Sequence, residues 1–265
     1  MILDCTIRDG GHLCEWNFSK DFVDEVYNTA CKSGVDFFEI GYRMHKKSKG
    51  LYSLCPDEIL PEGSAKLVIM VNVSDFDISD FKENGRFLVR IACRNNEVKQ
   101  GILACEELYN RGYGVFLHLM NADTLEDYDI LEKWQNKNIL ESIYFADSFG
   151  SFTPDATEKY FNKLKSIGFD KISFHGHNNI QTGFANSIKA LSLGAYSVDG
   201  SAYGMGRGAG NTPIELLLGH FGKTHYYDDL IKKYFIELKS KYNWGYNLET
   251  LNTGLKNIHP TKTLV

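Results

Sequence analysis

The chain has 265 residues, of which 43% are hydrophobic and 24% charged, a size that fits one large α/β domain and also admits two smaller ones. A net charge of -5, with Lys and Arg scattered rather than massed, argues against a nucleic-acid partner or an anionic membrane surface and leaves a small molecule as the default ligand. No run approaches the roughly 20 apolar residues of a membrane span, the first residues enter a strand-like run without a basic leader, and the six cysteines show no CxxC or CxxH spacing, so a soluble, cytoplasmic chain with reduced thiols is expected.

In chain order, short β-branched and aromatic runs alternate with helical patterns, which is the sequence signature of a parallel sheet built from βα units. Strands are expected at 2–7, 37–42, 66–73, 87–92, 115–120, 142–146, 171–175 and 197–202. Helices are expected near 19–33, 79–84, 96–111, 124–137, 154–167, 181–193 and 213–220. Ser19 and Thr153-Pro154 stand where helices should start, and Gly34, Gly112, Gly168 and Gly194 stand where they should stop. Eight units in about 220 residues match a (β/α)8 TIM barrel of about 250 residues. The second unit is irregular, because 44–64 is rich in Lys, Gly and Pro and promises only a short helix. The division expected is a catalytic barrel over 1–222 and a short helical C-terminal extension over 223–265 packed on it, the latter carrying Asn243-Trp-Gly-Tyr-Asn247 and Asn257-Ile-His-Pro260.

His175-Gly-His177 ends the seventh expected strand, and side chains two apart on a strand project to the same side, so both imidazoles can face one metal ion. An isolated HxH is more often a solvated pair, in about two cases of three, and the context decides. Arg8, Asp9 and His12 stand at the end of the first strand, and a closed barrel gathers all eight strand ends around one mouth. Taken alone, Arg8 and Asp9 read equally as a surface ion pair or a turn with Gly10 and Gly11. The glycine-rich segment Tyr203-Gly-Met-Gly-Arg-Gly-Ala-Gly-Asn-Thr-Pro213 permits tight turns and close backbone approach. It lacks the GK[ST] ending of a nucleotide P-loop and follows the eighth strand, which discounts dinucleotide binding and leaves Asn211 as a neutral oxygen ligand.

Together these residues resemble the metal-dependent lyases and synthases that include 4-hydroxy-2-oxovalerate aldolase, 3-hydroxy-3-methylglutaryl-CoA lyase and 2-isopropylmalate synthase. The resemblance spans the barrel and rests on Thr6-Ile-Arg-Asp-Gly10, Glu39-Ile-Gly41, Ala146-Asp-Ser148, His175-Gly-His177 and Gly208-Ala-Gly-Asn211. It implies that Asp9, His175 and His177 hold a divalent cation with Asn211 as a weaker fourth ligand, that Arg8 lies beside the substrate oxygen, and that His12, three positions after the ligand Asp9, is the base of the aldolase branch. It further suggests Ser148 as a hydrogen-bonding partner of the substrate, Asp147 as an orienting group, Glu39 as a support behind the ligands and Tyr246 as a residue closing the site. Ser148, Asp147 and Glu39 each have an equally good structural reading, and for Tyr246 a packing role is the stronger reading. The mixed oxygen and imidazole set suits Mn²⁺, with Mg²⁺, Co²⁺ or Zn²⁺ as alternatives.

The activity implied is aldol cleavage or formation of a 4-hydroxy-2-oxo acid through a pyruvate enolate. The alternatives are a Claisen-type acyl-CoA synthase or lyase and a catalytically silent metal-binding barrel. The extension is shorter than the helical domain with which such aldolases dock an acylating aldehyde dehydrogenase, so that partner is not expected, while a homo-oligomer is left open. Gly11 and Cys14-Glu-Trp-Asn-Phe18 also depart from the family's loop, which makes the chemistry firmer than the substrate.

Overall fold

A computed structural model describes residues 1–44, 49–125, 128–223 and 226–258; His259-Pro260 of the expected tail motif and part of the irregular 44–64 segment lie outside the described residues. Eight parallel strands close into a barrel in the order β1 to β8. They are β1 (Ile2–Asp4), β2 (Phe37–Tyr42), β3 (Lys66–Asn72), β4 (Leu88–Cys93), β5 (Val115–Leu119), β6 (Leu140–Asp147), β7 (Ile172–Gly176) and β8 (Val198–Gly200). Closure is made by β1 against β8, with Leu3 opposite Asp199 and Asp4 opposite Gly200. The chain therefore folds as the (β/α)8 barrel its alternating pattern predicts.

Helices α1 (Thr6–Cys14), α2 (Lys20–Lys32), α3 (Leu51–Leu54), α4 (Val98–Asn110), α5 (Asp129–Lys133), α6 (Pro154–Ser166), α7 (Gly183–Ser192) and α8 (Ile214–His220) accompany the strands. Capping follows local chemistry: the Ser19 and Thr153 hydroxyls accept from the backbone N–H of Phe22 and Ala156. Three units differ from expectation; in one, the helix expected at 124–137 is reduced among the described residues to Asp129–Lys133. The first strand stops at Asp4 rather than running to residue 7, because the Asp4 carboxylate accepts the Thr6 N–H at 2.7 Å and turns the chain into α1. The helix expected at 79–84 is instead a pair of single 3₁₀ turns, Val73–Asp75 and Ile78–Asp80, whose short polar residues favour local turns over helix.

Most of the core lies between the sheet and the surrounding helices. A second apolar layer, Leu3, Cys5, Phe37, Val68, Phe116 and Tyr144, fills the barrel interior toward the strand N-termini. One step further toward the strand C-termini the interior becomes polar, with Glu39, Arg90, His118, His175 and Asp199 all buried. Beyond the barrel, α9 (Tyr227–Leu230), a π-helical turn (Ile231–Phe235), α10 (Ile236–Tyr242) and α11 (Leu248–Leu255) pack back onto it. The Tyr227 hydroxyl donates to Asp4, Trp244 Nε1 donates to Tyr203 O at 3.1 Å, and Asn179 Nδ2 donates to Thr253 Oγ1 at 3.2 Å. Among the described residues, no helix is long and apolar enough to cross a membrane.

Candidate active site

Three segments meet at the C-terminal ends of the strands. Helix α1 brings Arg8, Asp9 and His12, the end of β7 brings His175 and His177, and the loop after β8 brings Asn211, whose backbone bridges to His177. One ligand atom from each of Asp9, His175 and His177 lies within 4.8 Å of the others, and all three residues are buried. His175 Nε2 and His177 Nε2 face each other at 3.3 Å, and His177 Nε2 lies 3.9 Å from Asp9 Oδ2. The Asn211 amide donates through Nδ2 to Asp9 Oδ2 at 2.6 Å and to Met205 O at 3.0 Å, which fixes its orientation and leaves Oδ1 buried without a partner. A carboxylate, two facing imidazole nitrogens and an orphaned amide oxygen fit a divalent cation.

The glycines of α1 and of the β8 loop are what allow this approach. A Cβ on Gly10 would fall 2.7 Å from Met205 Sδ, one on Gly11 would collide with the Trp16 indole, and one on Gly206 would fall 2.8 Å from Asp9 Oδ2 and closer still to Asn211 Nδ2.

Residues 113–229 match the HMGL-like family model. The chain is 28% identical to 4-hydroxy-2-oxovalerate aldolase of Bacillus cereus, over 86% of its own length and 71% of the relative. It is 25% identical to oxaloacetate decarboxylase of Mycobacterium tuberculosis, over 82% of its own length and 68% of the relative. Among solved structures it resembles the N-terminal domain of a provisionally designated aldolase from Bacteroides vulgatus, with TM-score 0.88 and 29% identity over 98% of this chain and 94% of that one. The matched stretch contains His175, His177 and Asn211, whereas Arg8, Asp9 and His12 precede it and join it through barrel closure.

Behind Asp9, His175 and His177, a chain of buried charges runs through the barrel. Arg8 Nη1 donates to Asp9 Oδ1 and Arg8 Nε to Glu39 Oε2, both at 2.6 Å. Arg90 lies 3.4 Å from Glu39 and donates to Asp199 Oδ2 at 2.8 Å, and Asp199 Oδ2 in turn accepts from His175 Nδ1 at 2.8 Å. The Arg90 guanidinium also donates to His118 Nδ1 and stacks 3.7 Å from the Tyr144 ring centroid. Asp9 and His175, far apart in the sequence, are thus tied by one network. Burial alone would raise both Asp9 and Asp199, but Arg8 beside the first and Arg90 beside the second hold both carboxyls below their ordinary range. Burial pulls the His177 imidazole down to about 3, so it presents a neutral ring, as a metal ligand must.

His12 sits on the open side of this cluster. Helix α1 ends in two left-handed residues, Glu15 and Trp16, which fold the indole back so that Trp16 Nε1 donates to Arg8 O at 3.1 Å. Trp16 and Tyr42 pack edge-on around the His12 ring at centroid distances of 4.6 and 5.6 Å. His12 Nε2 lies 3.3 Å from the Tyr42 hydroxyl. Burial, followed by the Arg207 charge, holds His12 well below the usual imidazole range, while burial raises the Tyr42 phenol, so Tyr42 keeps its proton and donates to Nε2.

Of the remaining residues singled out from sequence, Glu39 stands inside the network as the acceptor of Arg8 and Arg90. Ser148 lies after β6 with its hydroxyl accepting the Asn121 N–H at 3.0 Å, and Asp147 caps its own loop by accepting the N–H groups of Ser151 and Phe152 at 2.8 and 3.1 Å. Tyr246 is 57% exposed, and its neighbour Trp244 is the tail residue that docks against the β8 loop. Arg90, His118, Asp199, Tyr42, Trp16 and Arg207 escaped the sequence reading. Three of them carried a signal: Arg90, His118 and Asp199 are charged or titratable residues inside runs otherwise suited to a buried strand.

Proposed function

We propose that the chain is a divalent-metal-dependent aldolase that cleaves or forms a 4-hydroxy-2-oxo acid through a pyruvate enolate. The observation that carries this reading is Arg8: two of its nitrogens are spent on Glu39 and Asp9, and the third, Nη2, is buried without a partner beside the Asp9, His175 and His177 cluster. Held this way, a guanidinium offers one preoriented donor to an oxygen that gains negative charge, which is the arrangement an enolate-forming site needs.

Asp9, His175 and His177 would hold the cation, with Asn211 Oδ1 as fourth donor; the oxygen and imidazole set suits Mn²⁺. When bound, a divalent cation supplies Lewis acidity toward the carboxylate and carbonyl oxygens of the 2-oxo acid. Neutral His12 draws the proton of the 4-hydroxyl through the Tyr42 hydroxyl, which gives its own proton to Nε2 and takes the substrate's, and the C3–C4 bond breaks to release an aldehyde. The bonding pair passes to the pyruvate unit, whose C2 oxygen receives the Arg8 Nη2–H, and a proton returned to C3 completes pyruvate. Trp16 and Tyr42 keep the His12 ring in place and water away from it. The names of the relatives agree with this chemistry, since an aldolase and an oxaloacetate decarboxylase both leave a pyruvate fragment.

The test pairs two variants with two readouts, metal content and pyruvate release from 4-hydroxy-2-oxovalerate. His12→Ala is expected to keep its metal and lose about 10²- to 10⁴-fold in kcat, whereas His175→Ala loses metal first. Equal metal loss in both variants refutes the division of roles, and thiol release from acyl-CoA with a 2-oxo acid, without pyruvate release from the aldol, refutes the reaction class.

A further inference from the structure

Arg207 is a cation for which the chemistry described so far has no use. It stands between Gly206 and Gly208 in the loop after β8, with its Nε buried and without a hydrogen-bond partner. Among the described residues its guanidinium makes no ion pair, whereas Arg8 and Arg90 are both neutralised by carboxylates. Its backbone position is fixed beside the centre. A Cβ on the preceding Gly206 would lie 2.8 Å from Asp9 Oδ2, and the Arg207 carbonyl accepts the Gly210 N–H at 2.9 Å, closing the turn. After burial, Arg207 is the largest single influence on the His12 imidazole, and it also acts on Tyr42. The charge therefore reaches the His12 side of the site, where the hydroxyl-bearing end of the substrate has to lie.

A partly buried guanidinium with an unpaired N–H calls for an anion, and a carboxylate answers it with two matched acceptors. We propose that Arg207 receives a second carboxylate at the hydroxyl end of the substrate, so that the preferred substrates are 4-hydroxy-2-oxo dicarboxylic acids. This rests on the aldolase reading above and specifies its substrate class. In such a substrate C4 bears both the hydroxyl and the second carboxylate. His12 draws the hydroxyl proton through the Tyr42 hydroxyl, C4 becomes the carbonyl of an oxo acid, the C3–C4 pair enters the pyruvate enolate, and C3 then gains a proton. Pyruvate and a short aldehydic acid such as glyoxylate leave. A cation on the second carboxylate also opposes its loss as CO₂, because decarboxylation would remove the charge that the guanidinium holds.

The test compares kcat/KM of the Mn²⁺-loaded chain for 4-hydroxy-2-oxoglutarate and 4-hydroxy-2-oxovalerate. The wild type is expected to prefer the dicarboxylate by about 10- to 100-fold, the range of a hydrogen bond to a charged group. Arg207→Met brings the ratio to about one, mainly through the KM of the dicarboxylate, and Arg207→Lys recovers part of it. No preference in the wild type, or an unchanged ratio in Arg207→Met, overturns the assignment. Should neither compound be cleaved by the wild type, the aldolase reading fails, and equilibrium binding of 2-oxoglutarate against 2-oxopentanoate then decides Arg207 on its own. A preference for 2-oxoglutarate that vanishes in Arg207→Met supports the carboxylate site, and equal binding of the two in the wild type rejects it.

Discussion

Asp199→Asn probes the buried network where it meets the cation ligands. In the wild type Asp199 Oδ2 accepts from His175 Nδ1 at 2.8 Å, and Arg90 holds the same oxygen at 2.8 Å. The charge on Asp199 commits the His175 proton to Nδ1 and leaves Nε2 as a lone pair turned toward His177. An amide at 199 keeps the shape and removes the charge, so both ring nitrogens compete for the proton. Substitutions of this kind cost about 10- to 100-fold in metal affinity. The consequence is readable in stability: a cation at 1,000 times its Kd adds about 4 kcal/mol, and a 100-fold weaker site at the same concentration adds only about 1.4 kcal/mol. At roughly 2–4 °C per kcal/mol, the metal-induced rise in Tm shrinks by about 5–11 °C in the variant. Calorimetric melting of both proteins, each with and without Mn²⁺, isolates this term from any loss in the metal-free state. An equal metal-induced rise in the two proteins refutes the claim that Asp199 tunes the centre.

Two further outcomes follow from the same structure. Gly206→Ala places a methyl group 2.8 Å from Asp9 Oδ2 and against the Asn211 amide, so it weakens metal binding by about tenfold or more while the circular dichroism spectrum stays that of the parent; unchanged affinity by titration calorimetry contradicts the packing. Burial lifts the Asp147 carboxyl to about 7, outweighing its two backbone donors, so its folded-state value exceeds the unfolded one and its contribution to stability is full below about pH 4 and lost as pH rises through about 7. The span from 3.8 to about 7 corresponds to at most about 4 kcal/mol. Denaturant unfolding from pH 4 to 8 should show this decline in the wild type and a flatter profile in Asp147→Asn, and parallel profiles would discard the assignment.

The sequence alone determined the architecture, because each βα unit announces itself locally: the strands at 37–42, 66–72 and 115–119 are short runs of β-branched and aromatic residues, and Ser19 and Thr153 mark helix starts by chemistry that acts over three residues. It also nominated Asp9, His175, His177 and Asn211, since ligand types at strand ends are visible in one dimension. The placement of Arg8, Asp9 and His12 on a helix was hidden, because α1 carries two glycines and turns an Arg and an Asp to its buried side, where apolar residues would mark a helix. What only the tertiary structure decided is pairing: which carboxylate neutralises which guanidinium, that Glu39, Arg90 and Asp199 link Asp9 to the distant His175, and that Arg207 is left with no carboxylate among the described residues. Charge pairing is set by distance and burial across the closed barrel, quantities that sequence separation does not encode, and the cation-binding cluster and its unspent donors arise from that closure.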